Sequence, residues 1–273
     1  AVRETFDSAI NFLDTSNEYG RGESERRIGY VIAERGGLPD GFVLATKVDP
    51  SPGAGSFPGS RVAESFDESV SRLGVTYIPL LYLHDPSRFD VDDITAPGGP
   101  VARMIELKEE GRVGSLGVAD GSLDLVARLA DTGAFDVALH HNMFTLLDRR
   151  ADSLIDRLTR NGIAFVNAAP YAGGILAKGP DQQPRYVYGH AASGVHEAVR
   201  AMQAACAEYD VDLASAALQF STRDPRVSST VVGVSKAGRV PAILKSMDAS
   251  IPDELWDRLN DIYDHDRTLG VAR

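Results

Sequence analysis

Apolar residues come along this chain in two alternating rhythms. Short apolar runs of strand type close on a polar residue, and each is followed by a stretch whose apolar positions recur at helical spacing. The first run, Ile10-Asn11-Phe12-Leu13, precedes residues 23–35 (ESERRIGYVIAER), where Glu23 and Glu25 suit a helix N-terminus and Gly36-Gly37 stop the helix. A strand at 42–47 leads to a helix over 60–73, with Val62, Phe66, Val70 and Leu73 at helical spacing and Gly74 at the stop. The same reading predicts strands at 77–83, 113–118, 135–139, 163–168 and 229–233. Between and after them it predicts helices at 100–110, 123–132, 148–160, 195–209, 212–221, 236–247 and from Pro252 onward. Ser122 stands where it can cap the helix at 123. The rhythm breaks over 170–193, a long stretch rich in Gly, Pro and Tyr.

Strands alternating with helices predict a parallel sheet covered by helices. Seven strands are visible, whereas a closed (β/α)8 barrel needs eight. Residues 1–9 (AVRETFDSA) read as the second half of a helix that feeds the first visible strand. The expectation is therefore one α/β domain over 1–273, a (β/α)8 TIM barrel whose first strand lies upstream of residue 1. The rival, an open doubly wound sheet, would show a Gly-rich turn after its first strand. No G-x-G-x-x-G follows any of these strands.

Composition narrows the partners. The 273 residues are 43% hydrophobic and 25% charged, as in an ordinary globular protein. A net charge of −11 disfavours nucleic acid and anionic membrane surfaces. The single cysteine, Cys206, has no partner for an internal disulfide, which fits a reducing compartment such as the cytoplasm. It also falls on the apolar stripe of a helix, a core position. No apolar run is long enough to span a membrane.

Three of the strand-type runs end on a charged or titratable residue: Asp14, Lys47 and His84. Tyr19 follows Asp14 closely. The C-terminal ends of barrel strands are where this architecture holds its chemistry. Singly, these residues read as a helix cap, a solvated charge, a turn residue and a loop aromatic. Together on successive strand ends, they form a set that can pass a proton to or from an oxygen. No Cys/His or carboxylate cluster has metal-ligand spacing. His140 and His141, adjacent on a strand, are expected to point to opposite faces.

The segments NFLDTSNEYGRGESERRIG at 11–29, ATK at 45–47 and LHDP at 83–86 resemble the aldo-keto reductase superfamily. TLLDRRA at 145–151, GGILAKG at 173–179 and VVGVSKAGR at 231–239 are most similar to its bacterial aldose dehydrogenase branch, which includes enzymes acting on L-fucose, D-threo-aldoses and, in relatives, pyridoxal. The resemblance implies hydride transfer with NADP or NAD. It makes Tyr19 the general acid of reduction and general base of oxidation, with Lys47 lowering its pKa. Asp14 would pair with Lys47, and His84 would orient the substrate oxygen. It also implies cofactor contacts from Asp120, Asn142, Tyr171, Gly173, Gly233, Ser235, Lys236 and Arg239. Asp120 stands where the family commonly has Asn, and His141 or Asn142 where it has Gln. Gly233 and Val234 replace the Lys and Ser of strongly NADP-preferring members, so both cofactors stay open. The small residues 172–174 would let the backbone approach a pyrophosphate. The implied substrate is an aldose oxidised to a lactone, or an aldehyde. The alternatives are a carbonyl reductase, including pyridoxal-type substrates, and a non-catalytic nicotinamide-binding regulatory subunit.

Overall fold

A computed structural model of the chain describes residues 1–187, 189–190 and 193–268. It opens with α1 (Val2–Phe6), β1 (Phe12–Asp14), α2 (Glu23–Arg35), β2 (Val43–Val48), α3 (Gly59–Leu73) and β3 (Ile78–His84). A 3-10 turn at Pro86–Arg88 and a short α4 (Val91–Thr95) lead to α5 (Pro100–Glu109), β4 (Val113–Ala119), α6 (Leu123–Ala130) and β5 (Val137–His141). Then come α7 (Asp152–Arg160), β6 (Ala164–Ala168), α8 (Ile175–Lys178) and a small hairpin of β7 (Arg185–Tyr186) and β8 (Gly189–His190). The remainder is α9 (Ser193–Glu208), α10 (Leu213–Thr222), β9 (Val227–Val231), α11 (Arg239–Met247) and α12 (Asp253–Thr268).

The seven main strands follow one another in the hydrogen-bonded order β1-β2-β3-β4-β5-β6-β9. Pairing from β1 to β5 is parallel, with Leu13 opposite Leu44, Lys47 opposite Tyr82 and His84 opposite Ala119. This is the strand order of a (β/α)8 fold, and each strand lies within two residues of its expected place. The stops work as expected. Gly36 and Gly74 take left-handed conformations at the ends of α2 and α3. The Ser122 hydroxyl accepts the Leu125 N–H at 3.3 Å at the start of α6.

Local polar chemistry explains the departures. α7 begins at Asp152 rather than 148. The Thr145 hydroxyl accepts the N–H groups of Leu147 and Asp148, both at 3.1 Å, and the Asp148 carboxylate holds Arg150. These side chains compete with the helix for the backbone. The stretch 170–193 carries more order than expected: a 3-10 turn at Ala172–Gly174, α8 and the hairpin. Residues 188, 191 and 192 of that stretch lie outside the described ones.

The chain divides into two compact units, each with a core of its own. The first comprises Ala1–Leu139 with Arg157–Phe165, and the second His140–Asp156 with Val166–Arg273. In the first, Leu44, Leu81 and Leu83 of the strands and Val62, Phe66, Leu73, Met104 and Leu107 of the helices are fully buried. Each such side chain contributes about 1.5–3 kcal/mol. Here α2 and α3 approach so closely that a Cβ on Gly29 would stand 2.2 Å from the Arg72 carbonyl oxygen, so only glycine fits. The second core gathers Ile175, Leu176, Val199, Met202, Leu255 and Leu259. Cys206 lies in it, and burial pushes its thiol up to about 11, which makes it unreactive. Among the described residues, no helix is long and apolar enough to cross a membrane, and no group of His, Cys and carboxylates is placed to hold a metal. The rings of His140 and His141 do not diverge as alternation along a strand predicts; they stack 5.7 Å apart.

Candidate active site

Strand pairing brings the expected residues together. Past β1 the backbone stays paired to β2: Thr15 N–H donates to the Ala45 carbonyl at 2.9 Å and Asn17 N–H to that of Lys47 at 3.2 Å. The chain then turns, with Tyr19 N–H on the Ser16 carbonyl and Ser24 N–H on that of Tyr19. This folds the Tyr19 ring over the end of Lys47, whose Nζ lies 4.6 Å from the ring centroid.

Lys47 is 1% exposed, and its three ammonium hydrogens have three acceptors. Nζ donates to Asp14 Oδ2 at 2.6 Å, to the Thr15 carbonyl at 2.7 Å and to Tyr19 Oη at 3.2 Å. Burial by itself would lower the lysine pKa, but Asp14 and Tyr19 outweigh it and hold the ammonium above its ordinary value. For Asp14, burial pushes the carboxyl up and Lys47 pulls it down. Three good acceptors around Nζ describe a charged ammonium, paired with the Asp14 carboxylate.

Tyr19 remains 42% exposed, so one side of it is open to a reactant. Its phenol is raised above the ordinary value: burial is the largest cause, and the charges of Asp14 and Asp49 add to it against the lowering by Lys47. Lys47 lowers the phenol as expected, but burial and the two carboxylates outweigh it. The lysine is close enough, but its charge is shared with Asp14.

His84 ends β3 with its ring 5.8 Å from that of Tyr19 and nearly perpendicular to it. The structure adds a residue that the sequence reading missed. Asp49, 2% exposed, places Oδ1 2.5 Å from His84 Nδ1. Its Oδ2 accepts the Ser16 hydroxyl at 2.5 Å and the Glu18 N–H at 3.0 Å. Burial raises this carboxyl, but hydrogen bonds from His84, Ser16 and Glu18, with the charge of His84, bring it below its usual value. A signal was present: Asp49 lies two residues past Lys47, and a period of two puts both on one face. Glu25 is a second surprise. It stands in the first turn of α2 as expected, and it is fully buried, accepting the Thr46 hydroxyl at 2.7 Å and Arg72 Nη1 at 3.1 Å.

Asp120, also buried, spends its carboxylate on backbone. Oδ2 accepts Ser87 N–H at 2.8 Å and Oδ1 accepts Ser122 N–H at 2.6 Å, which braces the turn after β3 against the start of α6. The other expected cofactor residues lie in the second unit. Asn142 takes a left-handed conformation at the end of β5; its Nδ2 lies 2.9 Å from His141 Nδ1, and its Oδ1 is buried without a hydrogen-bond partner. Tyr171 and Arg239 meet, with the guanidinium 5.5 Å from the ring centroid. Gly173 has φ +73°, and a Cβ there would stand 2.8 Å from the Val187 carbonyl oxygen, so the close approach it permits is used within the chain. Gly233, Ser235 and Lys236 are exposed in the segment from β9 to α11.

Residues 1–264 match the Aldo/keto reductase family. The chain belongs to that family. It is 29% identical to D-threo-aldose 1-dehydrogenase from Pseudomonas sp. across 94% of this chain and 85% of that protein. Identity is 30% with L-galactose dehydrogenase from Arabidopsis thaliana, across 88% and 74%. It is 27% with pyridoxal 4-dehydrogenase from Microbacterium luteolum, across 93% and 84%. An aldo-keto reductase structure from Bacillus halodurans, in its holo form, superposes with a TM-score of 0.78 over 96% of this chain and 85% of that one, at 21% identity, which shows the (β/α)8 fold.

As an aldo-keto reductase, the chain is an NAD(P)-dependent oxidoreductase. The second unit fits such a cofactor on its own terms. Asn142 Oδ1 lacks a donor, and a carboxamide N–H would supply one. Arg239 and Lys236 have no carboxylate partner among the described residues, which leaves two cations for phosphate.

Proposed function

We propose that residues 1–273 work as one aldo-keto reductase domain that oxidises an aldose at its anomeric carbon to the lactone. The observation that carries the reading is the Lys47 ammonium bonded at once to Asp14 and Tyr19, with His84 beside the same phenol. The substrate class is supported by relatives named for aldose, galactose and pyridoxal oxidation. When bound, the nicotinamide supplies or accepts the hydride. Tyr19, held by Lys47, meets the reacting oxygen, and His84 faces that oxygen from the end of β3. Asn142 holds the carboxamide, while Tyr171, Gly173, Gly233, Ser235, Lys236 and Arg239 line the phosphate and adenosine end. Asp120 serves the site by fixing the turn after His84. The cations Lys236 and Arg239 favour NADP over NAD.

A second reading, aldehyde or ketone reduction, is favoured by the raised Tyr19 phenol, since a protonated phenol donates to a carbonyl. The test is a panel of aldoses, pyridoxal and simple aldehydes assayed with NADP, NAD and their reduced forms. Formation of reduced cofactor with aldoses supports the proposal. Turnover only of aldehydes with reduced cofactor supports the second reading, and no turnover in either direction removes both.

A further inference from the structure

The Tyr19 phenol takes its hydrogen bond from Lys47 Nζ at 3.2 Å, the longest of the three that this ammonium makes. Where the phenol sits therefore depends on the backbone that carries it. That backbone is unusual: Gly20, Arg21 and Gly22 follow Tyr19 with φ of +61°, +55° and +84°, and the left-handed region is strained for the arginine.

One side chain braces this loop on both sides of Tyr19. Arg72 of α3 donates from Nη1 to the Asn17 carbonyl at 2.9 Å, two residues before the tyrosine. Its guanidinium faces Gly22, three residues after it, so closely that a Cβ there would stand 2.7 Å from both Cζ and Nε. Nη1 also donates to Glu25 Oε2 at 3.1 Å, and Nη2 to Glu68 Oε2 at 3.2 Å. Asn17 is tied to α3 a second time, its Nδ2 donating to the Ser65 carbonyl and to Glu68 Oε2, both at 3.0 Å. Glu25 closes the link to β2. Fully buried, it accepts at Oε1 the hydroxyl of Thr46, the residue before Lys47, at 2.7 Å. One carboxylate and one guanidinium thus register the loop carrying Tyr19 against the strand carrying Lys47. A planar guanidinium can lie flat on Gly22 while its fork reaches separate acceptors; a lysine ammonium keeps the charge and loses both features.

We propose that Arg72, fixed by Glu25, is a positioning residue that aligns the Tyr19 phenol with the Lys47 ammonium. This deepens the oxidoreductase reading of the same site and rests on it, with Tyr19 meeting the reacting oxygen and Arg72 acting only through the loop.

Two measurements test this on Arg72→Lys. The first is 13C NMR of the ligand-free protein labelled at tyrosine Cζ, with the Tyr19 signal assigned by its loss in Tyr19→Phe. The Tyr19 signal should shift or broaden in Arg72→Lys; an unmoved signal overturns the alignment. The second is a double-mutant cycle in steady state, with any aldose or aldehyde that the wild type turns over. Arg72→Lys alone should lose about 10–10²-fold in kcat, with the cofactor Kd unchanged. In the Tyr19→Phe background the same substitution should cost about twofold or less, because the group it aligns is gone. An equal loss in both backgrounds would make Arg72 merely structural. Urea unfolding checks each variant. If Arg72→Lys is partly unfolded under assay conditions, Glu68→Ala, which frees the same guanidinium from its half-exposed side, takes its place under the same two criteria. Full turnover by Tyr19→Phe would sink the reading of the site instead, and if the wild type turns over nothing the NMR measurement still decides the role of Arg72.

Discussion

The exits of β1–β3 and the segment after β9 handle charge in opposite ways. At the first, ionic groups are buried against one another: Lys47 has its three acceptors and Asp49 its three donors. At the second, Lys236 is exposed and Arg239 rests on the Tyr171 ring with no carboxylate partner among the described residues. The difference suits the two tasks. Proton transfer needs groups fixed to within fractions of an ångström before the substrate arrives. Holding an anionic cofactor needs cations that are free to meet it.

The largest effect separating the two regions should come from Lys47→Met. It leaves Asp14 buried without its partner, so we expect a loss of about 3–5 kcal/mol of unfolding free energy in denaturant titration, with turnover abolished. Arg239→Ala should leave stability nearly unchanged and raise the cofactor Kd about tenfold, more for NADP than for NAD, in a fluorescence titration. Equal losses in both variants would erase the distinction between the regions.

The smallest effect concerns acid stability. The folded Asp49 carboxyl lies below its unfolded value, so the unfolded chain takes up the proton first as pH falls. Its contribution is whole above the ordinary carboxylate range, about pH 4, and is lost as pH drops through the folded value. Asp49→Asn should therefore flatten the acid side of a stability–pH profile and leave its neutral region parallel to the wild type.

Much of this was legible in the chain. Apolar runs ending in Asp14, Lys47 and His84 located both the strands and the rim, because a strand's last side chain is set by its register. Asp49 was not legible as a partner of His84, since Val48-Asp49-Pro50 reads as an ordinary turn and the pairing crosses 35 residues of sequence. The burial of Glu25 was not legible for a similar reason: its partner Arg72 arrives from α3, 47 residues away. Short elements such as α4, α8 and the β7–β8 hairpin fall below the length at which periodicity speaks.

The most direct test of the site is Tyr19→Phe, followed by the absorbance of reduced cofactor with an aldose that the wild type turns over. We predict a fall of about 10²–10³-fold in kcat with cofactor affinity unchanged, because the phenol meets the reacting oxygen and other residues are proposed to hold the cofactor. Full turnover in that variant would contradict the assignment of the reaction to the exits of β1–β3.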